Sequence, residues 1–149
     1  MKEHYILHVE DEEAYVFLMR LMFERAGITN PLRAVRDGQM AMDYLAGAGA
    51  YADREEHPLP SMVLLDLKLP KASGFEVLKW IREQPALKRL VVIVLSASSH
   101  PEDVGLAYDL GANSFIEKPL QMDRTLELVK LLKGWWLESN RFPPSNGSA

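Results

Sequence analysis

Residues 63–70 read Val63-Leu64-Leu65-Asp66-Leu67-Lys68-Leu69-Pro70, an apolar run that ends abruptly on an acid, with a proline four residues later. A continuous apolar run of this length, stopped by a turn, is the pattern of a strand covered on both faces by helices. Such strands belong to parallel sheets. Four more runs rich in Ile, Leu and Val occur at residues 5–9, 32–35, 91–95 and 114–116, with helical patterns between them. Strand alternating with helix implies βαβ units, and five units imply a doubly wound α/β fold with one five-stranded parallel sheet. The expected strand order is 2-1-3-4-5, which places residues 62–65 and 91–95 centrally and a switch point between the first and third strands.

The helices carry their own stops. The spacing predicts a first helix over 12–26 halted by Gly27, and a second from Asp37-Gly38 to about Leu45. A third runs from near Gly74 to before Pro85. The fourth opens at Ser99-His100-Pro101-Glu102, where Ser99 and Glu102 have capping-box spacing, and closes at Gly111. The fifth covers about 121–137. Residues 46–61, AGAGAYADREEHPLPS, read as a mobile surface loop, and the tail SNRFPPSNGSA as disordered. No internal repeat is present. The expected organisation is one domain over 1–140, a disordered tail over 141–149 and no output domain.

Composition narrows the function. With 149 residues and 48% hydrophobic content, one core is expected rather than two. A net charge of -4 gives no general affinity for nucleic acid or an anionic membrane surface. Without cysteine there is neither a disulfide framework nor thiolate chemistry. The apolar run near the N-terminus is too short for a signal-peptide core, and no segment nears the roughly 20 residues of a membrane span, so a cytoplasmic location is expected.

Ligands of doubly wound sheets bind beyond the carboxyl ends of the strands. There the first strand delivers Glu10 and Asp11, the third Asp66, the fourth Ser96 and the fifth Lys118, just before Pro119. Any one of these is an ordinary polar strand end; their joint arrival is not. Two like charges about 4 Å apart cost each other roughly 4 kcal/mol at an effective dielectric near 20, so three carboxylates do not cluster for stability. A divalent cation removes the repulsion, and Mg²⁺ favours one or two carboxylates, waters and a phosphate oxygen. Zinc lacks its histidine or cysteine ligands. Phosphoryl transfer needs positioning and positive charge, which a metal and Lys118 provide, while Ser96 can donate to a phosphoryl oxygen beside the small Ala97. Asp66 is then the nucleophile, since a carboxylate can form an acyl phosphate.

These pieces, ILHVEDE, VLLDLKLPKASG, VIVLSAS and GANSFIEKPL, resemble in order and interval the response regulator receiver domains of two-component signalling. The resemblance covers about residues 5–137 and implies the flavodoxin-like, CheY-like (βα)5 arrangement. It implies that Asp66 accepts a phosphoryl group from a histidine kinase, and that Glu10, Asp11, Asp66 and the Lys68 backbone carbonyl surround Mg²⁺. It also implies that Ser96 and Phe115 form a switch pair, with a plain core aromatic as the other reading of Phe115, and that the Lys118–Pro119 bond is cis. The long segment before Asp66 and the GWWLE ending resemble the stand-alone regulators of phytochrome-type histidine kinases. Two departures are the Glu10-Asp11 pair, where Asp-Asp is frequent, and Ser96, where Thr is frequent.

Readout is expected through the fourth helix, fifth strand and fifth helix, toward a downstream protein or a second copy. Leu126, Val129, Leu132 and Trp136 form one stripe of the fifth helix, and Leu128, Leu131 and Trp135 another beside it. That width predicts a homodimer with Trp135 or Trp136 at its interface; the alternative is that both cap the chain's own core. On the first helix, Glu13, Phe17, Arg20 and Glu24 share a stripe that leaves an aromatic on a charged face, a pattern of docking sites.

Other functions fit less well. A dehalogenase-type phosphatase needs an acid two residues after its nucleophile, where this chain has Lys68, so a signalling phosphoacceptor rather than an enzyme is expected. EDEEAY after the first strand is acidic where a flavodoxin-like carrier needs a phosphate-cradling loop, and neither Gly-rich nucleotide fingerprint occurs. The remaining alternative is a receiver-fold interaction or dimerisation protein that does not cycle phosphate.

Overall fold

The computed structural model describes residues 4–144. Its parallel sheet has the order β2-β1-β3-β4-β5, from β1 (Ile6–Val9), β2 (Leu32–Val35), β3 (Met62–Leu65), β4 (Val91–Ser96) and β5 (Ser114–Glu117). Between them lie α1 (Glu13–Arg25), α2 (Gly38–Ala46), α3 (Gly74–Glu83) and α4 (Pro101–Asp109), and α5 (Met122–Leu132) follows β5. Every residue of β1, β3 and β4 is buried, His8 and Ser96 among them, as expected of strands covered on both faces.

Alternation along the strands divides the core into two layers. Leu7, Val9, Val63, Leu65, Val92 and Val94 pack with Ala41, Leu45, Val77, Leu78, Ile81 and Ala107 on one side. Ile6, Met62, Leu64, Ile93 and Leu95 pack with Met19, Met22, Phe23, Val129 and Leu132 on the other. So α2, α3 and α4 cover one face, and α1 and α5 the other.

Several local expectations are corrected. The capping box belongs to α3: Glu76 N–H donates to Ser73 Oγ, and Ser73 N–H to the Glu76 carboxylate, both at 3.2 Å. At α4 the cap is His100, and no side chain bonds the helix start; Ser98 instead reaches Asp103 at 3.0 Å. The segment after α2 is a packed loop. Arg54 donates to the carbonyls of Tyr44, Leu45 and His57 at 2.7 to 3.1 Å, and Tyr44, Tyr51 and His57 stack against one another. The guanidinium fork thereby satisfies carbonyls that the end of α2 leaves free.

The chain beyond α5 continues as a π-helical stretch, Lys133–Ser139. Lys133 Nζ donates to the Ala26 carbonyl and closes the end of α1. Residues 140–144, expected to begin a disordered tail, lie against the body: the Phe142 ring packs on the second core layer and sits 4.7 Å from the His4 ring. Residues 145–149 are outside the described part. All described peptide bonds are trans, Lys118–Pro119 included; trans is the lower-energy isomer for X–Pro by about 0.5–1 kcal/mol.

Candidate functional site

The sheet brings the expected residues to one edge. Val9 and Leu65 are register partners, and one residue further the chain stays pinned: Asp66 N–H donates to the Val9 carbonyl at 3.1 Å, and Glu10 N–H to the Val35 carbonyl at 3.0 Å. Both carboxylates therefore leave from fixed backbone at the switch point. Glu10, Asp11 and Asp66 each offer an oxygen within 4.8 Å of the others. Glu10 and Asp66 are buried, while Asp11 is exposed.

Lys118 joins them from the end of β5. Its ammonium bridges Glu10 Oε1 at 2.5 Å and Asp66 Oδ2 at 3.1 Å, and its own N–H donates to the Ser96 carbonyl at 2.7 Å. Burial lifts the Glu10 carboxyl well above the usual range; the Lys118 hydrogen bond opposes this, and the charge of Asp66 adds to it. Burial works against the charge of Lys118, but its bond to Glu10 and the field of Asp66 outweigh it, so the ammonium is held above its ordinary pKa. Three carboxylates against one lysine leave the cluster under-neutralised. Its donors are all hard oxygens, which suits a divalent cation of the Mg²⁺, Mn²⁺ or Ca²⁺ kind.

The loop after β3 is built around Asp66. Leu67 N–H donates to Asp66 Oδ1 at 2.7 Å, and Lys68 N–H stands 3.4 Å from the same oxygen. Gly74 N–H donates back to the Leu67 carbonyl at 2.9 Å. A Cβ on Gly74 would lie 2.1 Å from the Asp66 carbonyl oxygen, so only glycine lets α3 begin this close to the site. Gly38 plays the same part toward the Ala72 carbonyl. Lys71, at φ 67°, takes the left-handed turn between them.

Ser96 is buried at the end of β4, and its Oγ accepts from Ser98 N–H at 3.2 Å. Among the described residues it bonds there rather than to the acid cluster. Phe115 is half-buried against the first core layer, and its N–H donates to the Tyr108 hydroxyl at 3.1 Å. Phe17 is 69% exposed on α1, while Arg20 from the same stripe folds back to donate to the Leu32 carbonyl.

Two residues beneath the site were not expected from the sequence. His8, inside β1, is buried with Nδ1 unpartnered, and burial, then Lys118 and Arg20, pushes its pKa down to about 3. It is a neutral imidazole. Tyr15, on α1, lies with its ring 6.0 Å from that of His8, and the Lys118 ammonium stands 4.5 Å over the Tyr15 ring. The sequence signal for His8 was a single polar residue inside an apolar strand; Tyr15 gave none.

Five parallel strands in this order, with acids and a lysine gathered at the switch point, define a doubly wound α/β protein whose acid cluster fits a divalent cation. The chain belongs to the response regulator receiver domain family, whose model matches residues 6–130. Receiver domains are signalling phosphoacceptors that work with histidine kinases. A methanogenesis regulatory protein, FilR2 of Methanothrix harundinacea, is 40% identical over 93% of this chain and 86% of its own. The response regulator Rcp1 of Synechocystis is 37% identical over 93% and 92%, and its Mn²⁺-bound crystal structure superposes with a TM-score of 0.85 over 95% of this chain and 99% of that one. The phosphorylated cyanobacterial phytochrome response regulator RcpA superposes at 0.89, with 36% identity, over 96% and 100%.

Proposed function

We propose that this chain is a single-domain response regulator that takes a phosphoryl group from a kinase phosphohistidine onto Asp66. Glu10, Asp11, Asp66 and the backbone carbonyl of Lys68 hold Mg²⁺. The observation that carries the reading is the Lys118 ammonium shared between Glu10 and Asp66 at the edge of a cluster of three carboxylates. A bound divalent cation supplies positive charge beside the oxygens of the transferring group. Asp66 Oδ2 attacks phosphorus, the P–N bond to the imidazole breaks, and its electron pair stays on the ring. Lys118, already beside Oδ2, neutralises the charge that arrives. The Ser96 hydroxyl, which now only accepts from Ser98, donates to a phosphoryl oxygen, and Phe115 turns into the space it leaves.

The output surface is α4-β5-α5. Leu106 and Tyr108 on α4, Leu120 before α5, Leu131 at its end and Trp135 in the π-helical stretch that follows are exposed, and a groove of about 540 Å³ runs beside Lys118 past Arg124, Leu128 and Leu131. That apolar surface fits a homodimer or a downstream protein. The likeness to Rcp1 and RcpA points to a phytochrome-type kinase as the donor, acting in the cytoplasm. No helix of the described residues is long and apolar enough to cross a membrane.

Acetyl phosphate with Mg²⁺ is expected to label the parent, with no label on Asp66→Asn or in EDTA. A parent that takes no label while folded points instead to a phosphate-independent interaction protein. Phosphotransfer profiling of phytochrome-type against other histidine kinases tests the donor.

A further inference from the structure

The polar layer under the acid cluster contains two side-chain atoms without a protein partner, His8 Nδ1 and Tyr15 Oη. The Tyr15 hydroxyl contributes no hydrogen bond, yet the ring occupies a defined place, with the Lys118 ammonium 4.5 Å above its centroid. That ammonium is the same one that stands 3.1 Å from Asp66 Oδ2 and 2.5 Å from Glu10 Oε1. Lysine carries four rotatable bonds and a compact charge, so two carboxylates alone leave its head free to swing between them. An aromatic face on a third side restricts that swing, because a cation over a ring quadrupole is held most strongly where water is excluded. Lys118 is nearly enclosed here, with its side chain only 10% exposed.

From this geometry we infer that Tyr15 is a positioning residue: its ring seats the Lys118 ammonium in line with Asp66 Oδ2, so that the charge is in place when a phosphoryl group arrives. Tyr15 makes no hydrogen bond to Asp66, and acts through Lys118. The His8 ring flanks the seat, its centroid 6.0 Å from that of Tyr15. This inference rests on the phosphoacceptor reading above, and extends it to a residue at the third position of α1.

Two measurements test it. In proton spectra of the full chain, the Lys118 ε-methylene signal is expected upfield of the other lysines, displaced by the Tyr15 ring current. The displacement should persist in Tyr15→Phe and vanish in Tyr15→Leu. Labelling of Asp66 by acetyl phosphate at saturating Mg²⁺ is expected to slow about tenfold in Tyr15→Leu and to stay within about twofold of the parent in Tyr15→Phe, the range set by a desolvated cation–π contact. Three results overturn the inference: no upfield displacement in the parent, parent-rate labelling of Tyr15→Leu, or equal slowing in both variants, which would assign the effect to the hydroxyl. Should Tyr15→Leu fail to fold, the parent and Tyr15→Phe spectra still decide. A parent that shows the displacement but takes no label overturns the phosphoacceptor reading and leaves the ring seat standing.

Discussion

The centre of the sheet and its β5 side are built to different standards. All of β1, β3 and β4 is buried, and α3 sinks Gly74, Val77, Leu78 and Ile81 into the core. By contrast β5 has no fully buried residue, and α4 buries only Ala107. Asp66, the proposed phosphoacceptor, stands on the first region, and the proposed readout surface is the second. Side chains that must hold an atom to a fraction of an ångström gain from close packing, whereas a surface that changes state needs few contacts to break.

The sharpest way to break the first region is Gly74→Val. Its Cβ would meet backbone, the Asp66 carbonyl, rather than a yielding side chain. A loss of more than about 3 kcal/mol is expected from denaturant midpoints, together with loss of labelling. A mild effect would show that the β3–α3 loop can move, and the contrast between regions would weaken.

Arg82 tests the seam. From α3 it donates to the carbonyls of Lys88, Leu90 and Gly111 and to Asn113 Oδ1, and so ties the rigid half to the α4–β5 turn. Arg82→Ala is expected to cost about 2–3 kcal/mol. Hydrogen exchange should rise in α4 and β5 while β3 stays protected; equal loosening of both would deny that they are separable units.

Smaller effects are expected further out. Trp136 packs on the second core layer, whereas Trp135 is 65% exposed. Trp136→Glu should therefore cost about 2 kcal/mol, and Trp135→Glu no more than about 0.5 kcal/mol. If the parent sediments as a dimer, Trp135→Glu should bring it to monomer mass; an unchanged mass removes that interface. Least of all on stability, Phe17→Ala should leave acetyl phosphate labelling intact and weaken transfer from a kinase, and equal loss of both would make Phe17 merely structural.

The central strands were legible because MVLL and VVIVL are continuous apolar runs that nothing in the fold overrides, and the others, ILHV, LRAV and SFIE, because they recur between helical patterns. Glu10, Asp11, Asp66 and Lys118 were legible because parallel strands all end at one edge. Of the two stripes along 126–136, Leu126, Val129, Leu132 and Trp136 pack on the second core layer, but the second stripe splits: Leu128 joins that layer too, and only Leu131 and Trp135 stay exposed. What escaped was long-range bonding by flexible side chains: Arg54 turns a loop that looks mobile into a packed one, and its partners are up to ten residues away. Ser99 has the capping spacing of Ser73, but at α4 Pro101 and a differently turned chain make His100 the cap. The seat under Lys118 escaped because Tyr15 and Lys118 are remote in sequence and carry no shared motif.

The bond between Lys118 and Glu10 spans 108 positions of the chain, and that between Lys118 and Asp66 spans 52. During synthesis, then, all three acids emerge from the ribosome long before their counter-charge. A nascent chain ending anywhere short of residue 118 presents the acids without the lysine, however well its first strands have paired. On the proposed phosphoacceptor reading, the complete cluster of acids and lysine is therefore acquired late and at once, when β5 has been made and joined to the sheet.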